Sequence, residues 1–113
     1  MKVSKVILIV GMFFLFTNQV NALSVSNYKK LKKDDFSILK THVNGVGQGI
    51  GWGNTLVENR LKQKLYCSPQ KIALNAGNFI TIIDTEIESG NWENTDPIEL
   101  ILIIGLEKTF PCE

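Results

Sequence analysis

The chain holds one histidine and two cysteines among its 113 residues, and that scarcity removes much of the chemistry open to a small protein. A zinc site draws on several cysteines and histidines at close spacing. Here no Cys/His pair lies close in sequence, and the remaining donors are too scattered to define a metal site. A nucleophilic triad would need a serine, His42 and an aspartate to converge without a G-x-S-x-G elbow to announce them. An excess of charge is also missing. Twelve basic residues face eleven acidic ones, whereas nucleic-acid-binding domains carry a basic surface. The one basic cluster, Lys29, Lys30, Lys32 and Lys33, reads as a solvated turn. Asp84 and Glu88 lie four apart and could share a helix face, but surface charge is their ordinary explanation. No catalytic residue, metal ligand or cofactor is assigned.

The N-terminus is more informative. Lys2 and Lys5 precede an uncharged apolar run over residues 6–16, which is about 11 residues where a spanning helix needs roughly 20. Val20 and Ala22 then stand at the small-residue spacing that signal peptidase reads. Residues 1–22 are therefore expected to be a cleavable export signal and residues 23–113 one small domain, with no lasting membrane association. Loss of Lys2 and Lys5 turns 12 basic against 11 acidic residues into 10 against 11, close to neutrality. In an oxidising compartment, Cys67 and Cys112 read as one disulfide.

The helical period dominates the rest. Phe36, Leu39, Val43, Val46, Ile50, Val57 and Leu61 keep three- and four-residue steps, so residues 36–65 are expected to be largely one helix. Five alternating glycines at 45, 47, 49, 51 and 53 interrupt it. The dinucleotide pattern G-x-G-x-x-G fails at every register, because its last position falls on Ile50, Trp52, Asn54 or Leu56. Gly45, Gly49 and Gly53 lie four apart on one flank of the stripe and are expected to let a second backbone approach, either in the core or at a dimer seam. Asn75 as N-cap and the spacing of Phe79, Ile83 and Ile87 predict another helix. Asp96-Pro97-Ile98-Glu99 reads as a capping signature opening a last, deeply buried helix. The expected fold is all-α, a small bundle of about four helices closed by one disulfide.

Between the last two helices the pattern breaks. Glu88, Ser89, Gly90, Asn91, Trp92, Glu93 and Asn94 form a polar stretch around one large aromatic, the make-up of a binding hot spot. The alternative, that Trp92 folds back to cap the core, stays open. Trp52, Tyr66 and a partly buried His42 are expected to be packing residues.

The string from Val43 to Trp52, followed by Leu65-Tyr66-Cys67-Ser68-Pro69 and the closing Phe110-Pro111-Cys112, resembles the immunity proteins of the Tai/Rap family. Those are periplasmic proteins encoded beside type VI secretion amidase effectors, and the likeness covers about residues 36–112. The resemblance implies an all-helical fold, often a homodimer, that binds a peptidoglycan-cleaving cysteine–histidine amidase in the periplasm and occludes its active-site cleft. The role carries over here only to the loop at residues 88–96. Some relatives bear a cysteine shortly before the G-x-x-x-G stretch, where this chain has His42 and Val43, so no second disulfide is expected. Two other readings compete: a periplasmic chaperone of the acid-stress kind and a small secreted hydrolase.

Overall fold

The computed structural model describes residues 22–113. The expected export signal lies, apart from Ala22, outside the described residues. Those residues form an all-α bundle of four helices: α1 (Val25–Asp34), α2 (Phe36–Leu61), α3 (Ala76–Ser89) and α4 (Ile98–Thr109). No helix among them is long and apolar enough to cross a membrane.

Local chemistry sets most of the helix ends. The Ser24 hydroxyl accepts the Asn27 N–H at 3.2 Å and opens α1. Asp35 separates α1 from α2, and its carboxylate accepts the Ile38 N–H at 3.3 Å. Lys62 stops α2 in the left-handed conformation at φ 58°, short of the expected end at residue 65. At α3, Asn75 and Asn78 cap each other's backbone N–H groups reciprocally, satisfying two donors that a helix start otherwise leaves unpaired.

The start of α4 departs from expectation. Its N-cap is Pro97, which makes no side-chain capping bond. Asp96 is committed elsewhere: its carboxylate accepts the Glu93 N–H at 2.7 Å and its carbonyl accepts the Val25 N–H at 2.9 Å. The capping residue suggested by the sequence instead closes the turn before the helix.

α3 is the central layer, packed on α4 along one side and on α2 along another. Phe79, Ile80, Ile82 and Ile83 of α3 meet Ile98, Ile101, Leu102 and Leu106 of α4 in one core, which Leu39 and Val43 of α2 and Val25 and Tyr28 of α1 complete. Burying a side chain of this size contributes about 1.5–3 kcal/mol.

Two glycines permit this packing, and neither belongs to the expected trio. A Cβ at Gly47 would lie 2.1 Å from the Phe79 ring, and one at Gly105 would lie 2.5 Å from the Ile82 side chain. Gly45, Gly49 and Gly53 would each meet nothing within 4 Å. They do not bring a second backbone of this chain close, which removes the core from the two roles proposed for them. The reason is rotational: α2 turns Gly47 toward α3 and leaves the other flank uncovered.

After α2 the chain is clamped by Asn54, a buried polar residue. Its amide donates to the Tyr66 carbonyl at 2.9 Å and its oxygen accepts the Leu65 N–H at 2.7 Å. Tyr66 is buried, as expected. Next to it, the Cys67 N–H donates to the Phe110 carbonyl at 2.8 Å, and the Cys67–Cys112 disulfide joins the α2–α3 connection to the chain beyond α4.

Gly47 and Gly49 should therefore respond in opposite ways to one added methyl. Gly47→Ala overpacks the Phe79 site and should cost about 1–3 kcal/mol in urea unfolding. Gly49→Ala should be neutral or stabilising by up to about 1 kcal/mol, from helix propensity. Equal effects would contradict the packing described.

Candidate binding surface

The loop between α3 and α4 is short, polar and held from several directions. The Gly90 N–H donates to the Glu86 carbonyl at 2.9 Å, the Asp96 N–H to the Glu93 carbonyl at 3.1 Å, and the Ser26 N–H to the Asn94 carbonyl at 3.0 Å. With Val25 on Asp96 and Ile98 on Leu23, residues 23–26 run antiparallel along residues 94–98. The sequence gives little sign of this two-sided frame, because it consists of main-chain bonds between segments about 70 residues apart.

Trp92 is the loop's inner anchor. It is half-buried against the core, its indole N–H donates to Glu86 Oε1 at 3.4 Å, and its ring lies over Gly90. Of the two roles left open, capping the core is the one it fills. Glu86 is itself buried, and the same oxygen accepts from Lys108 Nζ at 2.6 Å. A buried carboxylate is tolerated when its charge is paired, and here the pairing ties α3, the loop and α4 together. Glu88 and Ser89, expected in the loop, form the last turn of α3, because the helical ladder runs on to the Gly90 N–H. They and Asn91, Glu93 and Asn94 beyond it remain exposed, while Gly90 lies partly under the Trp92 ring.

The most exposed of the large hydrophobic residues described is Trp52. At 73% exposure it projects from α2, correcting the expectation that it packs. Ile38 and Leu56 are also exposed, at 56% and 52%. With Gly45 and Gly49 they trace a line along the uncovered side of α2, at steps of seven, four, three and four residues. The sequence carries two apolar lines on this helix, and the buried one masks the exposed one.

The other candidates are accounted for by local partners. His42 is more exposed than expected, its side chain 40% accessible, with Nε2 3.1 Å from Glu99 Oε1. Asp84 and Glu88 border an open hollow of about 330 Å³ with Tyr28, Lys29, Lys32 and Ile87. Asp84 is engaged by Lys32 and accepts the Tyr28 hydroxyl at 2.8 Å. Burial and the neighbouring Asp84 carboxylate both push the Tyr28 hydroxyl well above the usual tyrosine range. Burial likewise pushes Tyr66 up. Among the described residues, no cluster of three or more His, Cys, Asp or Glu is placed to hold a metal ion.

These features describe an all-helical domain with a braced polar loop and an uncovered apolar helix face. Comparison with protein-family models, with curated proteins and with solved structures finds no match.

Two expectations follow from this geometry. In single-tryptophan variants, acrylamide should quench Trp52 fluorescence strongly and Trp92 weakly; comparable quenching would contradict the placement of both. Tyrosine in an unfolded chain titrates near about 10, and Tyr28 holds its proton beyond that in the fold. Its contribution to stability is complete below pH 10 or so and is lost as pH rises further, because the unfolded state alone releases the proton. Tyr28→Phe should flatten the alkaline limb of the stability–pH curve, and an unchanged limb would show that Tyr28 does not contribute to it.

Proposed function

We propose that this chain is an exported immunity protein that binds a peptidoglycan-cleaving cysteine–histidine amidase in the periplasm and occludes its cleft. The observation that carries this reading is the braced loop. A loop fixed before binding loses little conformational entropy on docking, so its contacts translate more fully into affinity. Glu88, Ser89, Asn91, Glu93 and Asn94 offer hydrogen-bonding groups to a polar catalytic groove, and Trp92 acts from behind them by holding the loop's shape. The likeness of the glycine-rich helix, the Tyr66-Cys67-Ser68-Pro69 element and the closing Pro111-Cys112 to Tai/Rap proteins supplies the amidase as the partner. The domain needs no cofactor and catalyses nothing in this role.

The uncovered face of α2 is assigned to a second copy of the chain. A symmetric dimer pairs a surface with itself, and this face suits that arrangement. With two such helices antiparallel about a two-fold axis on the outward side, level with Gly47 along the helix, Ile38 lies opposite Leu56 and Gly45 opposite Gly49. No Asp, Glu, Lys or Arg occurs between Lys40 and Glu58, so like faces meet without like charges. The glycines let the helices approach while Trp52 covers the partner's surface.

Titrating the oxidised exported domain into the amidase encoded beside it should abolish peptidoglycan hydrolysis at one domain per enzyme. Replacing Glu88 and Glu93 together with lysine should weaken binding at least tenfold, or about 1.4 kcal/mol, with the helical spectrum unchanged. Trp52→Asp should yield a monomer that still inhibits. Undiminished hydrolysis at saturating domain would overturn the immunity reading.

A further inference from the structure

Leu23 is built into the fold through its backbone as well as its side chain. Its carbonyl accepts the Ile98 N–H at 2.8 Å, its nitrogen donates to Glu99 Oε1 at 3.2 Å, and its side chain packs against the core. Oε1 also faces His42 Nε2 at 3.1 Å. The other oxygen of the same carboxylate, Glu99 Oε2, is buried and has no hydrogen-bond partner among the described residues. Two nitrogens therefore converge on one oxygen while its twin goes unsatisfied, and an unpaired buried oxygen of this kind is uncommon in folded proteins.

A peptide nitrogen carries one hydrogen, and Leu23 directs it at Oε1. We propose that cleavage of the Ala22–Leu23 bond completes this site: the new α-ammonium of Leu23 pairs with the Glu99 carboxylate and locks the processed N-terminus onto the start of α4. Hydrolysis consumes one water, leaving a carboxylate on Ala22 and an amine on Leu23. That amine is mostly protonated at neutral pH, since α-amino groups titrate near about 8. It brings three hydrogens and a positive charge to a carboxylate that had one main-chain donor, so both oxygens come within reach of a donor. Charge-assisted hydrogen bonds of this kind are roughly twice as strong as neutral ones.

The position of the cut matters. Neighbouring Cα atoms stand about 3.8 Å apart. Cleavage one bond earlier leaves Leu23 with a peptide nitrogen and carries the charge away from Glu99. Cleavage one bond later removes Leu23 altogether. The bond that suits Glu99 is also the one marked by Val20 and Ala22 in the sequence, and Ala22 is exposed. The inference rests on the export reading of residues 1–22 and is independent of the amidase.

The test starts from the full chain expressed with its leader. Intact mass and N-terminal sequencing of the exported protein should place the first residue at Leu23. Selective transamination of the α-amine to an uncharged carbonyl should then lower Tm by about 4 °C or more, the scale expected of one such interaction in a domain this small. In Glu99→Gln the same treatment should leave Tm unchanged, which separates the ion pair from any general effect of modifying the terminus. A different first residue, or a wild-type Tm that ignores loss of the α-amine, would overturn the pairing while leaving export intact. An exported chain that retains residues 1–22 would overturn both.

Discussion

The last helix, α4, imposes the constraint that the rest of the fold answers. Ile98, Ile101, Leu102 and Leu106 are fully buried, and a helix apolar over most of its circumference has to be covered on several sides. α3 covers one side, where Gly105 admits Ile82. Residues 23–26 cross its start through main-chain hydrogen bonds, and the disulfide holds the chain just past its end. The sequence separation of 45 between the cysteines corresponds to roughly 4 kcal/mol of chain-entropy stabilisation. Against the 5–15 kcal/mol or so typical of whole domains, a helix this buried in a chain this short depends on that closure.

Covering α4 also fixes the loop that leads into it. Glu86, Trp92 and Lys108 tie the loop's inner side to both flanking helices, while Asn94 and Asp96 are held by the N-terminal segment. The outer side chains are left free to meet another molecule. On the proposed function, that division makes the loop a preformed plug. α2 is used differently. Its inward side joins the core through Leu39, Val43 and Gly47, and its outward side, carrying Trp52, remains uncovered.

Much of this architecture was legible in the residues. The three- and four-residue steps from Phe36 to Leu61 marked α2, Asn75 marked the start of α3, and an even cysteine count marked the disulfide. The fate of the two tryptophans was not. Trp52 shares its helix with a stronger apolar line, and periodicity does not say which of two lines faces inward. Trp92 stands among polar residues, so composition left open whether it points outward or caps the core. Its inward turn depends on Glu86, a charged residue that composition does not place in a core. The glycines left core and seam open for a related reason: equal spacing at 45, 49 and 53 says nothing about where α3 lies, and Phe79 selects Gly47 for the core. Asn54 and the pairing of residues 23–26 with 94–98 depend on contacts formed only after the chain has folded back on itself.

The central claim, that the braced loop is the surface that plugs an amidase cleft, is tested most directly by amide hydrogen exchange. The oxidised domain would be compared alone and with saturating amidase under conditions in which hydrolysis is blocked. The account predicts slowed exchange concentrated in residues 88–94, with the outward face of α2 unchanged by the enzyme. A blocked enzyme whose bound partner shows no added protection in that loop would contradict it.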